Sequence, residues 1–273
     1  MLQWPWMVSF GYINDQNVWK HFCGGTIISD RIIITAAHCL ALVNDKMFIE
    51  HPDIPSNTKL LIRAGDEYLN TPEPGDHYAR TYEADAYKIH PKYNSQNFDV
   101  ALVATNQTIE FNKLTKPICM PESSLESGQN LWGHGVKFTG WGFDDDFKIR
   151  INDSLKDTTM SVFYPEYCSD FYASYAEHHF CAGNERGNVG SCKGDSGGPL
   201  IYYNSRADPP FYMLIGVLHG SSDQCEDERT EAPSIFARVD HPEIFDFIKK
   251  TKHDLELCQE LKDCFCELAN VSC

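Results

Sequence analysis

Gly194-Asp195-Ser196-Gly197-Gly198-Pro199 runs directly into Leu200-Ile201-Tyr202-Tyr203, which sets a serine in a glycine-rich turn at the mouth of an apolar β run. Small neighbours let a second backbone approach the hydroxyl. They also leave the N–H groups of Gly194 and Ser196 free to converge on one point, an arrangement suited to a developing oxyanion. A serine hydroxyl is a poor nucleophile until a base removes its proton, so the turn calls for a histidine elsewhere in the chain.

Outward from that turn, short β-branched or aromatic runs recur between turn signals, at residues 25–28, 31–35, 136–139, 200–203 and 212–215. Such a pattern reads as an all-β sandwich or barrel. The chain has 273 residues, enough for one large domain or two modest ones at roughly 150 residues per domain. Residues 121–128 are poor in strand formers and divide the chain almost in half, which predicts one β domain over 1–122 and a second over 123–252. Pro242 suits the first turn of a helix whose Ile244, Phe247, Ile248 and Leu255 share one face; that helix closes the second domain. A charged tail, 253–273, carries Cys258, Cys264, Cys266 and Cys273.

The charge balance, 23 Lys plus Arg against 39 Asp plus Glu, leaves −16. An acidic surface of this kind repels phosphate and lipid headgroups, which excludes nucleic acid and membrane surfaces as partners. No window approaches the 18 or so continuous apolar residues of a spanning helix. Eleven cysteines point to an oxidising compartment, and N-x-S/T triplets at Asn106, Asn152 and Asn270 agree with a secreted chain. The first residues lack the charged and apolar regions of a signal peptide, so a further upstream segment is expected.

The required histidine is present in Thr35-Ala36-Ala37-His38-Cys39, at the end of a β run and beside a cysteine able to pin it. An imidazole serves as base only when its other nitrogen is held in the donor tautomer, which a carboxylate does. Asn97-Phe98-Asp99-Val100-Ala101-Leu102 supplies an acid entering an apolar run, where an unpaired charge is costly to bury.

These pieces, in the order His, Asp, Ser, resemble the chymotrypsin-family, or trypsin-like, serine proteases. The resemblance extends through Trp4-Pro5-Trp6-Met7-Val8-Ser9, Cys23-Gly24-Gly25, Ile89-His90-Pro91 and Thr139-Gly140-Trp141-Gly142 to the final helix. It implies two six-stranded antiparallel β-barrels, a C-terminal helix and a short Cys-rich tail. It implies His38 as general acid and base, Asp99 as its orienting carboxylate, Ser196 as nucleophile, and Gly194 with Ser196 as oxyanion donors. It pairs Cys23 with Cys39, Cys168 with Cys181, and Cys192 with Cys225. A further bridge common in the family falls on Val136 and Tyr202 here, so both halves are missing together. Cys119 matches a position whose partner in some relatives lies in a propeptide.

By the same resemblance the pocket that selects substrate is floored by Gly190, flanked by Ser191, with Ser234 the second floor position and Gly220 at the substrate strand. With no charge there, a cationic side chain would lose hydration uncompensated, so a neutral, apolar preference is expected. Gly216-Val217-Leu218-His219-Gly220-Ser221 departs from the family's substrate strand, with two registers one residue apart fitting equally. His219 reads either as a pocket wall or as a neighbour of Asp99, without a catalytic role.

Active members begin with an Ile-Val-Gly-Gly-like segment whose freed amine pairs with the acid beside the serine, here Asp195. That segment falls upstream of this sequence, and a longer chain is the expectation. A missing activation segment and an altered substrate strand would also suit a catalytically inactive homologue acting as a secreted binding module, whereas the intact triad favours the enzyme. The resemblance requires no cofactor and no metal, and it implies protein or peptide substrates and protein inhibitors. Asp66, Glu73 and Asp76 fall where some relatives bind calcium. A zinc site at His178 and His179 near Cys168 and Cys181 has no usual ligand spacing. The long segment 41–60 and the tail read equally as partner surfaces or as stapled decoration.

Overall fold

A computed structural model describes residues 4–52, 54–70, 78–122, 131–143, 153–172, 177–184, 190–220 and 232–260, with side chains described as far as 256. The first half forms β1 (Met7–Ile13), β2 (Trp19–Ile27), β3 (Ile32–Thr35), β4 (Leu61–Ala64), β5 (Arg80–Ile89) and β6 (Ala101–Thr105). The second forms β7 (Gly135–Gly140), β8 (Lys156–Val162), β9 (His179–Gly183), β10 (Pro199–Asn204), β11 (Phe211–Gly220) and β12 (Ser234–Arg238). Each set closes into an antiparallel barrel, in the orders β1-β2-β3-β6-β5-β4 and β10-β11-β12-β9-β8-β7. All five runs read as strands from the sequence fall on observed strands, and the two-barrel architecture with its C-terminal helix is the expected one.

Why the apolar runs are continuous rather than alternating follows from burial on both faces. Side chains alternate along a strand with period two. On β10 to β12, Leu200, Ile215, Leu218 and Phe236 fill the second barrel with Phe138, Met160 and Phe180. The intervening Ile201, Leu214, Val217 and Ala237 turn outward and join the core of the first barrel. The barrels therefore share a dry seam, and the catalytic candidates stand at its edge.

Among the described residues two α-helices complete the fold. α1 (Pro165–Phe171) opens on a proline and buries Cys168; its seven residues are too few for a periodic signature. α2 (Pro242–Glu260) buries Ile244, Phe247, Ile248 and Leu255 against β3, β5 and β6. α2 thus clasps the first barrel, and it continues to Glu260, past residue 252. The segment 41–60 is integrated rather than loose. Val43, Met47, Ile49 and Leu60 are buried in the first barrel's core, and bridges join Val43 to Ile49 and Phe48 to Lys59.

Candidate active site

His38 lies in a single 3-10 turn (Ala37–Leu40) directly after β3, and the neighbouring Cys39 is bonded to Cys23 on β2. That disulfide ties the turn to the barrel wall. Asp99 lies just ahead of β6 and is fully buried. Its approach is set by Phe98, which adopts a left-handed φ of 54°. Such a conformation costs a non-glycine residue about 1 kcal/mol. The Phe98 ring is held between two imidazoles, stacked on His90 at 4.7 Å and on His178 at 4.3 Å.

The carboxylate of Asp99 meets three donors. Its Oδ1 accepts the backbone N–H of His38 at 2.8 Å, and its Oδ2 accepts the ring of His38 through Nδ1 at 2.6 Å. The ring of His219 reaches the same Oδ2 through its own Nδ1, also at 2.6 Å. Burial alone would raise the Asp99 pKa, but the hydrogen bonds from His219 and His38, with their charges, bring it down to about 2. An ionised carboxylate only accepts, so both Nδ1 atoms carry hydrogen. Neutral His38 is thereby fixed with its lone pair on Nε2, the tautomer that general base catalysis needs.

The Ser196 turn is laced to the same corner. The carbonyl of Ser196 accepts the Gly24 N–H at 2.7 Å, and Gly197 N–H bonds the Leu218 carbonyl at 2.9 Å. Gly197, at φ 78°, approaches so closely that a Cβ there would stand 2.2 Å from Thr35 Oγ1 and 3.0 Å from the nitrogen of Ala36, two residues before His38. Gly194 has φ 95°, and its carbonyl accepts a hydrogen bond from His21 Nε2 at 2.8 Å.

Asp195 points the other way, into the second barrel. Its carboxylate accepts the N–H groups of Gly142 at 2.7 Å and Cys192 at 2.9 Å. A Cβ on Gly140 or Gly142 would fall about 2 Å from its oxygens, so glycine is needed at both. Burial raises its pKa to about 6, against the lowering effect of the two N–H bonds.

Three of the residues expected at the pocket floor, Gly190, Ser191 and Ser234, lie together. Ser234 Oγ accepts the Ser191 N–H at 2.9 Å and lies 2.9 Å from Ser191 Oγ, while the direction of a Cβ on Gly190 also leads to Ser234 Oγ, at 3.7 Å. Gly220 closes β11, and among the described residues nothing lies within 4 Å of where its Cβ would stand. The two registers left open for this strand have a physical origin. Leu218 pairs with Phe236 and Gly220 with Ile235, so His219 is the extra residue of a β-bulge. The bulge directs its ring at Asp99, a placement that the sequence left undecided.

Cys168 is bonded to Cys181, which removes both from any zinc site, and His178 Nε2 is bonded to Asn97 Oδ1 at 2.9 Å. Cys192 is disulfide-bonded; Cys225 lies outside the described residues, as do Cys264, Cys266 and Cys273. Cys119 is a free, exposed thiol. Asp66 pairs with Arg63 at 3.3 Å, and Glu73 and Asp76 lie outside the described residues. Among the described residues, two groups bring metal-capable atoms within 4.8 Å of one another. In one, Cys23 and Cys39 are tied in a disulfide; in the other, Asp99 already accepts both imidazole N–H groups.

A double barrel with a histidine–carboxylate pair on one half and a glycine-bound serine turn on the other defines a class of nucleophilic hydrolase folds. The Trypsin family model matches residues 1–248, and the chain belongs to that family. It is 29% identical over 247 residues to a venom protease of Bombus pensylvanicus, covering 86% of this chain and 90% of that protein. It is 28% identical to the clotting factor G beta subunit of Tachypleus tridentatus, covering 86% of this chain and 72% of that subunit. Clotting factor C of the same species is 27% identical over 233 residues, 82% of this chain, and the match spans only 22% of that longer protein.

Proposed function

We propose that this chain is a serine endopeptidase that cleaves peptide bonds through an acyl-enzyme on Ser196. The observation that carries the reading is the contact of His38 Nδ1 with the buried Asp99 carboxylate, beside the Ser196 turn. His38 Nε2 takes the Ser196 proton as Oγ bonds to the scissile carbonyl carbon. The N–H groups of Gly194 and Ser196 hold the oxyanion, and His38 returns the proton to the amine as the C–N bond breaks. Water, deprotonated in turn by His38, bonds to the acyl carbon, and the C–Oγ bond breaks as His38 returns the proton to Ser196. Asp99 stays ionised throughout and stabilises the imidazolium. No cofactor enters these steps.

The neutral floor of Gly190, Ser191 and Ser234 supports a preference for an apolar side chain before the scissile bond. Disulfides among the described residues and exposed Asn106 in its sequon support a secreted glycoprotein. Among the described residues no helix is long and apolar enough to cross a membrane. The buried carboxylate of Asp195, which retains its proton up to about 6, is suited to an amine partner, which supports activation of a zymogen by a freed N-terminus. Substrates are proteins or peptides, and protein inhibitors of the same cleft are expected partners.

Covalent labelling by a fluorophosphonate tests the reading. The natural protein, processed to free its upstream amine, should label at Ser196, and Ser196→Ala should abolish labelling. A correctly folded and processed protein that does not label is instead a binding module.

A further inference from the structure

We infer that His219 is a positioning residue that acts through Asp99, and that this chain orients its catalytic carboxylate with two imidazoles rather than one. The inference rests on the proposed role of Ser196 and His38 for its kinetic consequence, but its geometry stands by itself. His219 is the unpaired residue of the bulge between Leu218 and Gly220, so its backbone is displaced from the ladder and its ring leaves the face its neighbours use. From there Nδ1 meets Asp99 Oδ2 at 2.6 Å, the same atom and distance as His38 Nδ1. The two rings are nearly perpendicular, with centroids 6.0 Å apart, so each presents its N–H edge to the shared oxygen without stacking.

Asp99 is fully buried, and a lone carboxylate there would swing or take up a proton unless its lone pairs were engaged. The His38 backbone N–H engages Oδ1, and the second imidazole completes Oδ2. With two N–H groups on one oxygen, the carboxylate plane cannot rotate without losing one of them. His38 is thus held at the angle that presents Nε2 to the serine turn. Among the described residues, the titratable groups facing His219 are Asp99, His38 on the turn after β3 and His179 on β9, whose ring centroid is 6.3 Å away.

The first readout needs no activity. A histidine N–H bonded to a buried carboxylate gives a proton resonance far downfield, and the folded natural protein should show two at neutral pH. Asp99→Asn should remove both. His219→Leu should remove one and leave the His38 signal, displaced. The second readout is kinetic. His219→Leu should lower kcat about tenfold, the scale of one hydrogen bond to a charged group, with KM unchanged. His219→Asn, whose side-chain N–H can reach the place of Nδ1, should recover most of that loss. A single downfield signal in the natural protein, or His219→Leu at full kcat, overturns the inference. If His219→Leu does not fold, the number of signals in the natural protein decides. If the natural protein shows two signals but hydrolyses nothing, the positioning geometry stands and the proposed function fails.

Discussion

His21 Nε2 donates to the carbonyl oxygen of Gly194 across 2.8 Å and 173 residues of sequence. The carbonyl fixes the direction of the bond, so Nδ1 of this half-buried ring is the acceptor. It takes the hydroxyl hydrogen of Ser9 at 2.7 Å, and Ser9 in turn accepts the Trp19 indole N–H at 2.9 Å. Burial lowers the His21 pKa to about 4, against the raising effect of the Gly194 bond, so the ring is neutral at physiological pH and the relay keeps its direction. The first barrel thereby grips the positive-φ glycine of the second barrel's serine turn from behind.

His21→Phe should therefore loosen the Gly194 donor without removing it. Steady-state kinetics are expected to show kcat about tenfold lower, short of the roughly 100- to 1,000-fold loss when an oxyanion donor is deleted. Little change in KM should accompany it. An unchanged kcat would mean that φ of Gly194 is set by its own turn alone.

Asp99→Asn should be far more damaging. The amide donates as well as accepts, so it admits the wrong tautomer of His38 while leaving the shape of the site intact. A drop in kcat on the order of 10⁴ is expected with the fold retained. Fluorophosphonate labelling rates, compared with circular dichroism of the same samples, would check it.

Acidification should destabilise the fold through its histidines. Burial lowers His21 to about 4 and His179 to about 3, and it also lowers His90, His178 and His241. Below the ordinary value of 6.5 the unfolded chain takes up protons that the folded chain refuses, so stability is lost as pH falls from 6.5 toward 4. Asp195 acts in the opposite sense. Its folded pKa, about 6 against an ordinary 3.8, means that rising pH costs stability across that interval. Five groups outweigh one, so Tm should fall between pH 7 and pH 5. His21→Phe should flatten that fall even though it lowers Tm at neutral pH.

Gly190→Asp should change what is cleaved. Among the described residues a Cβ there meets only Ser234 Oγ, at an ordinary contact distance of 3.7 Å, so the first carbon of the new side chain is accommodated on the floor beside Ser234. Cleavage after arginine should rise about tenfold or more relative to cleavage after an apolar residue, the scale of one charge-assisted hydrogen bond. Paired peptide substrates differing at that residue would measure it, and an unaltered ratio would remove Gly190 from the pocket floor.

Much of the architecture was legible because its signals are local. Short β-branched and aromatic runs between turn signals mark strands wherever they fold, and the glycines around Ser196 declare a turn by their own conformational freedom. The final helix announced itself by Ile244, Phe247, Ile248 and Leu255 on one face. α1 was not legible, because seven residues anchored chiefly by Cys168 carry no period. The undecided register of β11 had another root: a bulge is defined by its pairing with the partner strand β12, which no pattern within β11 itself encodes.

By itself, then, the sequence determined five of the strands, the final helix, an all-β class that the family resemblance narrowed to two barrels, and His38, Asp99 and Ser196 as a candidate set, since each supplies a chemical role that the others require. Only the tertiary structure decided how those residues are held. Asp99 meets His38 across 61 residues and His219 across 120, and Gly194 meets His21 across 173. Contacts of that range depend on how two barrels close and dock, which no local pattern encodes. The left-handed Phe98 between two imidazoles and the bulge at His219 exist because packing compensates their local cost, and packing is a property of the whole fold.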